Sequence, residues 1–176
     1  MHAMLLALSL AASSGGGAFQ VTSPEVQDQK PLREAQVYHG YGCKGGNASP
    51  ALRWRFAPAG TKSFAVTVFD PDAPTGHGFW HWIVYDIPPS AEGLPAGVRA
   101  DTLPAGAVQG RNDFGMSEYS GACPPPGDRP HRYVFTVYAL RSERLGLSAG
   151  AAAQEIEARL EGNALAKATL TATYGR

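Results

Sequence analysis

The sequence predicts a mainly β fold, a two-sheet β-sandwich with short helices near the C-terminus. Twenty-one Gly and fourteen Pro divide the 176 residues into short segments, which is typical of β proteins with many turns. Several of these segments are rich in β-branched and aromatic residues, and two of them are apolar on both faces. Strands of that kind lie in the middle of a sheet that is covered on each side, so we expect packed layers around a core.

The first four predicted strands are rich in β-branched and aromatic residues, and the fifth alternates Thr with small or apolar residues. Within the second and fourth strands, residues 64–69 and 134–138 are apolar on both faces, so we expect them at the centre of a sheet. The five predicted strands are residues 51–56, 63–69, 80–87, 133–140 and 168–174.

Helical patterning is confined to the last part of the chain. Residues 151–160 are rich in Ala and Glu, and Ile156 and Leu160 are spaced to share one face of a helix. Gly162 and Asn163 then predict the end of that helix. A second short helix is expected at residues 164–167. Residues 88–115 carry Pro, Gly and Asp with little periodicity, and predict a long surface connection.

Composition predicts one globular domain at residues 19–176. Hydrophobic residues make up 44% of the chain and charged residues 17%, which is ordinary for a folded protein. Fifteen basic residues balance fifteen acidic ones, so the formal net charge is zero. Because no overall positive field would attract a polyanion, the sequence argues against a nucleic-acid-binding protein.

Residues 1–18 resemble a secretory leader. A short apolar run at residues 4–12 precedes small residues, and it is too short to span a bilayer. His2 stands where leaders usually carry Lys or Arg, so an uncleaved start stays open as the alternative. We therefore expect a periplasmic or secreted protein, or a cytoplasmic one if the leader does not function. No other segment predicts a transmembrane helix.

The two cysteines, Cys43 and Cys123, allow two states. In an oxidising compartment an even number of cysteines favours a disulfide. In a reducing compartment both would be buried thiols that pack as small hydrophobic side chains. The sequence alone leaves both states open.

Two distant segments predict the halves of one small polar pocket. Asp70 and the prolines after it follow a strongly apolar strand, with His81 shortly downstream. The second segment carries Cys123, two prolines and then His131 and Tyr133. Asp and Pro also serve as ordinary turn residues, so the first motif alone would indicate only a turn. Two His residues that reach the same pocket as an Asp and a Tyr more often bind something.

These motifs together resemble the phosphatidylethanolamine-binding family, also called the Raf kinase inhibitor-like family. The resemblance runs from residue 19 to residue 176 and includes GRNDFG at 110–115, which is similar to the bacterial branch of the family. Any one motif is weakly specific, but the motifs taken together, in this order along the chain, are specific. The principal motifs are DPDAP at 70–74, WHWIV at 80–84, GACPP at 121–125 and HRY at 131–133.

The resemblance implies a pocket for small anions such as phosphate, carboxylates and phospholipid head groups, with no enzyme activity, cofactor or metal. Imidazole and phenol groups can donate hydrogen bonds to anion oxygens, and backbone N–H groups at 121–125 would form an anion-binding nest. Asp70 would orient His81 or His131 and raise the pKa of that histidine, or accept a hydrogen bond from an ammonium head group or a protonated phosphate. The candidate ligand-binding residues are Asp70, Pro74, His81, Cys123, Pro125, His131 and Tyr133.

Three alternatives stay open at this point. A metal site is weakly supported because no H-x-x-x-H or H-E-x-x-H spacing occurs. A Cys123–His131 nucleophile pair would require a thiolate, which a disulfide with Cys43 would remove. The third alternative is an inhibitor of a kinase, protease or host factor that acts through the pocket rim, since a fold does not fix a function. A protein partner and a homodimer are both compatible with the sequence.

Overall fold

A computed structural model of the protein describes residues 17–148 and 150–176. Most of the expected leader therefore lies outside the described residues. Two one-turn 3-10 helices, Glu34–Gln36 and Ala100–Thr102, interrupt the loops. The strands are β1 (Gln20–Thr22), β2 (His39–Gly40), β3 (Cys43–Lys44), β4 (Leu52–Arg55), β5 (Ser63–Asp70), β6 (Phe79–Ile87), β7 (Gly93–Leu94), β8 (Val108–Gln109), β9 (His131–Leu140) and β10 (Ala164–Tyr174), and the helix is α1 (Ala153–Asn163).

The larger sheet has five antiparallel strands in the order β10-β9-β5-β6-β8, and a smaller sheet has the order β1-β4-β7. Strands β2 and β3 form a separate hairpin. Strand β5 is the central strand of the large sheet, and β9 lies beside it, as their apolar faces predicted. The mainly β fold and its five principal strands are therefore confirmed.

The large sheet is covered on both faces, which is why its central strands are apolar throughout. On one face, Phe64 and Val66 of β5 pack with Leu52 and Trp54 of β4 in the core between the two sheets. On the other face, Ala65 of β5 packs in a second core with Ile156 and Leu160 of α1. The successive side chains of β5 thus point into different cores, as the pleat of a strand requires.

The second short helix expected at 164–167 is wrong. These residues begin β10, where Ala164 pairs with Leu140 of β9 and Lys167 pairs with Tyr138. The open edge of β9 offers this segment a full ladder of hydrogen bonds. That tertiary pairing outweighs the helix propensity of an Ala-rich run that is only four residues long. The C-terminal region consequently contains one helix.

The connection at 88–115 is more ordered than its composition predicted. Strand β7 within it completes the small sheet, and β8 completes the large one. Leu94 and Val98 are buried in the core between the sheets. Short apolar anchors of this kind carry too little periodicity to be recognised as strands.

A β-bulge in β6 determines where His81 points. Val68 of β5 pairs with Trp82, but the next residue, Phe69, pairs with Trp80. His81 is therefore an extra residue on β6, and Trp80 and Trp82 enter opposite cores. Bulges re-aim side chains beside functional sites, and here the bulge gives His81 its own orientation. Within the described part of the chain, no helix is long and apolar enough to cross a membrane.

Candidate functional site

A cavity of about 290 Å³ opens where β5 ends and where β6 and β9 begin. The structure brings all seven sequence-predicted site residues to its wall; their role in binding stays a prediction. Tyr41, Ala73, Thr75, Phe79, Phe114 and Pro124 complete the lining, and the sequence motifs had not marked these positions as site residues. The cavity residues are Tyr41, Asp70, Ala73, Pro74, Thr75, Phe79, His81, Phe114, Cys123, Pro124, Pro125, His131 and Tyr133.

Asp70 and His131 form a buried pair at the wall of the cavity. The Asp70 Oδ2 atom lies 2.8 Å from His131 Nδ1, and each side chain is 3% exposed. The other carboxylate oxygen of Asp70 accepts the backbone N–H of Asp72 at 2.8 Å. Asp70 therefore orients His131, not His81, and its own oxygens are already engaged.

His131 contacts a second carboxylate through its other ring nitrogen. Its Nε2 atom lies 3.3 Å from Oδ2 of Asp128, whose side chain is 41% exposed. Both ring nitrogens of His131 therefore face carboxylates, and Asp128 takes the position that the sequence had assigned to an anion.

His81 is held by the pocket turn. Its Nδ1 donates to the carbonyl of Ser120 at 2.8 Å, which leaves Nε2 for a ligand. Burial lowers the pKa of His81 below its ordinary value, while the Ser120 carbonyl and the Asp70 charge act in the opposite direction. Because burial dominates, the free site holds a neutral imidazole at neutral pH.

The phenol of Tyr133 lies beside His81, with 5.2 Å between the ring centroids. Tyr133 is 1% exposed, and no described residue accepts a hydrogen bond from its hydroxyl. Burial, followed by the Asp70 charge, raises the pKa of Tyr133 above its ordinary value, so the hydroxyl keeps its proton. A buried hydroxyl without a partner is energetically unfavourable unless something else accepts its hydrogen bond.

The model of the phosphatidylethanolamine-binding protein family matches residues 22–175. The chain belongs to this family. The UPF0098 protein YbcL of Escherichia coli is 50% identical over 165 residues, which cover 92% of this chain and 90% of YbcL. The E. coli UPF0098 protein YbhB is 43% identical over 157 residues, with 88% of this chain and 99% of YbhB covered. The expected resemblance to the bacterial branch is confirmed.

Solved structures agree with this assignment. The crystal structure of E. coli YbcL, described as a new member of the mammalian PEBP family, superposes with a TM-score of 0.88 at 48% identity. The aligned region covers 91% of this chain and 99% of that one. A homologue from Chlamydia trachomatis superposes with a TM-score of 0.76 at 32% identity, covering 90% and 98% of the two chains. Membership of the phosphatidylethanolamine-binding family supports a ligand-binding role in general.

In this family member the pocket turn at 121–125 does not form the expected anion nest. The N–H of Gly121 donates to Asn47 Oδ1 at 2.8 Å, and the N–H of Ala122 donates to the Gln36 carbonyl at 3.3 Å. Pro124 and Pro125 carry no N–H, so Cys123 supplies the one remaining backbone donor of the turn. A Cβ atom on Gly121 would lie 2.3 Å from the Gln36 carbonyl oxygen, so glycine permits this close packing. The turn therefore contributes mainly shape, and most of its backbone donors are already used.

A disulfide joins Cys43 to Cys123, and neither cysteine is free. It connects the β2–β3 hairpin to the pocket turn. Arg176 reinforces the same junction, because its guanidinium donates to the carbonyls of Pro124 at 2.7 Å and Tyr41 at 3.1 Å. The pairing that export would favour is thus present, and the proposed Cys123 nucleophile has no thiol.

Asp72 secures the DPDAP turn to β9. Its carboxylate accepts two hydrogen bonds from the Arg132 guanidinium, both at 2.9 Å, and one from the Arg132 backbone N–H. The side-chain hydrogen bonds from Arg132 lower the pKa of Asp72 to about 2. The turn that carries Pro74 is therefore fixed in place. Among residues 17–148 and 150–176, no group of three or more His, Cys, Asp or Glu residues is arranged to hold a metal.

Asn112 supports the opposite side of the cavity. Its amide donates to the carbonyl of His81 and to Ser120 Oγ, and its oxygen accepts the backbone N–H of Phe114. The side chain thereby joins the β6 bulge to the loop that presents Phe114. Asn112 lies within the GRNDFG motif, which was the available sequence signal for this residue.

Proposed function

We propose that the protein binds small anions that carry a phosphate or carboxylate group, and that it does no chemistry on them. The observation that carries this proposal is the buried hydroxyl of Tyr133, which has a proton to donate and no acceptor among the described residues. An anion oxygen at the inner end of the cavity would accept that hydrogen bond. Hydrogen bonds to charged groups contribute about 1.5–3 kcal/mol, more than bonds between neutral groups.

Two histidines support the same ligand class in different ways. His81 would donate through Nε2 once an anion favours its protonation. His131 would shape the cavity wall rather than contact the anion, since its two ring nitrogens face Asp70 and Asp128. The carboxylate of Asp70 is paired with His131 and bonded to the N–H of Asp72, which reduces its repulsion of an anion.

We propose a binder rather than an enzyme because neither Cys123 nor His131 is available for catalysis. The sulfur of Cys123 is bonded to Cys43, so it provides no thiolate. Both nitrogens of His131 face carboxylates, which leaves that ring without a free basic position. We also propose export to the periplasm, because disulfides persist in oxidising compartments. Inhibition of a partner protein through the cavity rim stays a prediction.

Titration with inorganic phosphate at constant ionic strength tests the proposal. We expect saturable shifts of the Tyr133 and His81 resonances in NMR spectra, with one shared dissociation constant. Acetate should displace phosphate from the same site. The matched control is chloride at equal ionic strength, which should leave both resonances unshifted. Absence of any saturable shift with phosphate and acetate would contradict the proposal.

A further inference from the structure

A row of rings connects the inner end of the cavity to its mouth. The His81 ring lies 5.2 Å from Tyr133 and 5.8 Å from Phe114, measured between centroids. Phe114 in turn lies 6.0 Å from Tyr41, at an interplanar angle of 23°. Tyr38 stacks on Phe114 at 4.9 Å and 8°, and its ring also lies 6.0 Å from that of Tyr41. The polar groups are thus followed, toward the mouth, by an aromatic wall.

Tyr41, at the mouth of the cavity, has an exposed ring and an unfavourable backbone conformation. It is 77% exposed, and its φ angle of +50° lies in the left-handed region. A bulky side chain is unfavourable there, and such strain concentrates at ligand sites. The disulfide at Cys43 and the hydrogen bond from Arg176 to the Tyr41 carbonyl hold the hairpin that presents this ring. The protein therefore maintains an exposed aromatic surface at the cavity.

The size of the cavity exceeds what an inorganic anion fills. Its volume of about 290 Å³ corresponds to about ten water molecules at their volume in the liquid. Beyond the polar side chains at the inner end, the wall is formed by the rings of Tyr41, Phe79 and Phe114 and by prolines. Phosphate or acetate alone would leave this apolar part of the cavity unfilled.

We infer that the preferred ligand is an aromatic anion, an aryl ring that carries the phosphate or carboxylate group. This inference rests on the proposed function and names its ligand class. The anionic group would reach Tyr133 and His81, while the aryl ring would lie against Tyr41 and Phe114. Offset-stacked and edge-to-face ring pairs are favourable beyond the area that they bury. Because the backbone at Tyr41 is held and its ring already stacks with Tyr38, less side-chain freedom is lost on binding than for a free side chain.

Affinities for phenyl phosphate, cyclohexyl phosphate and methyl phosphate test the inference, measured by titration calorimetry on the full chain. We expect phenyl phosphate to bind about tenfold more tightly than methyl phosphate, which corresponds to about 1.4 kcal/mol. Cyclohexyl phosphate should fall between them, since it offers apolar area without a planar ring. In Tyr41→Ala the ratio of phenyl to methyl phosphate affinity should approach one.

Phe56→Ala is the matched control variant. Phe56 is also an exposed aromatic residue with a left-handed φ angle of +61°, but it does not line this cavity. Its removal should leave the phenyl-to-methyl ratio unchanged. Equal affinities for phenyl and methyl phosphate in the parent protein would overturn the inference and leave the proposed function intact. If none of the three phosphates binds, the proposed function itself fails.

Discussion

Oδ2 of Asp70 lies 2.8 Å from Nδ1 of His131, and only 3% of either side chain is exposed. Asp70 ends β5 and His131 begins β9, so the pair joins two neighbouring strands of the large sheet at the cavity wall. Asp128 adds a half-exposed carboxylate on the other side of the same ring. An imidazole held between two carboxylates therefore fixes this part of the site before any ligand arrives.

We expect Asp70→Asn to lower the free energy of unfolding by about 3 kcal/mol, because it removes the buried carboxylate that holds the His131 ring. Asp128→Asn removes the exposed partner of the same ring and should change stability by less than about 1 kcal/mol. Urea unfolding at neutral pH measures both variants. Equal effects of the two substitutions would contradict the assignment of Asp70 as the principal partner.

Sulfate affinity should increase as pH falls from about 7.5 to about 5, through His81. Burial lowers the pKa of His81 in the free protein, and a bound anion would raise it. Binding then takes up a proton between the two pKa values, so lower pH favours the complex. Sulfate is a suitable probe because its own charge is constant over this range. The pH dependence should flatten in His81→Gln, and an unchanged slope in that variant would exclude His81 as the titrating group.

Tyr133→Phe should weaken phosphate binding without destabilising the free protein. Loss of one hydrogen bond corresponds to about 1 kcal/mol, or about fivefold in affinity. The same change removes a buried hydroxyl that has no partner among the described residues, so the free energy of unfolding should stay constant or rise. Calorimetry with phosphate and urea unfolding without it provide the two measurements. A destabilised variant with unchanged affinity would show that the hydroxyl serves the fold instead.

The Asp72–Arg132 pair should make the free energy of unfolding depend on pH in the acid range. Hydrogen bonds from Arg132 lower the pKa of Asp72 to about 2, against about 3.9 in an unfolded chain. Its contribution is therefore present above pH ~4 and disappears as pH falls through ~2. We expect about 1 kcal/mol, because water screens the exposed arginine. The difference in unfolding free energy between the parent and Asp72→Asn should vanish near pH 2, and a difference independent of pH would contradict this account.

The Cys43–Cys123 disulfide should stabilise the fold by about 4 kcal/mol in the chain-entropy model, given its sequence separation of 80 residues. Urea unfolding of the parent and of the Cys43→Ser, Cys123→Ser double variant measures this contribution. Mass measurement after alkylation should detect no free thiol in protein recovered from the periplasm. Two alkylated thiols in that sample would rule out the pairing under physiological conditions.

The sequence predicted those features that depend on local patterns or on ordered motifs. Apolar runs on both faces identified β5 and β9 as inner strands, and four motifs identified residues that the fold brings to one cavity. The bulge at His81 was not predictable, because it depends on pairing with β5 across the sheet. The second carboxylate on His131 and the Tyr41–Phe114 contact likewise depend on how loops meet. The helix predicted for the Ala-rich residues 164–167 was wrong for the same reason, since pairing with the open edge of β9 determined their structure.

The disulfide also affects how the molecule would respond to proteolysis. It encloses the connection between β7 and β8, where exposed residues near Ala100 and Gly106 offer sites for cleavage. After a cut there, one fragment would carry β5 and β6 and the other β9 and β10, still hydrogen-bonded as one sheet. Cys43 and Cys123 would keep the fragments in a single covalent unit. The molecule is thereby able to lose the continuity of its backbone at this loop while both halves of the cavity stay together.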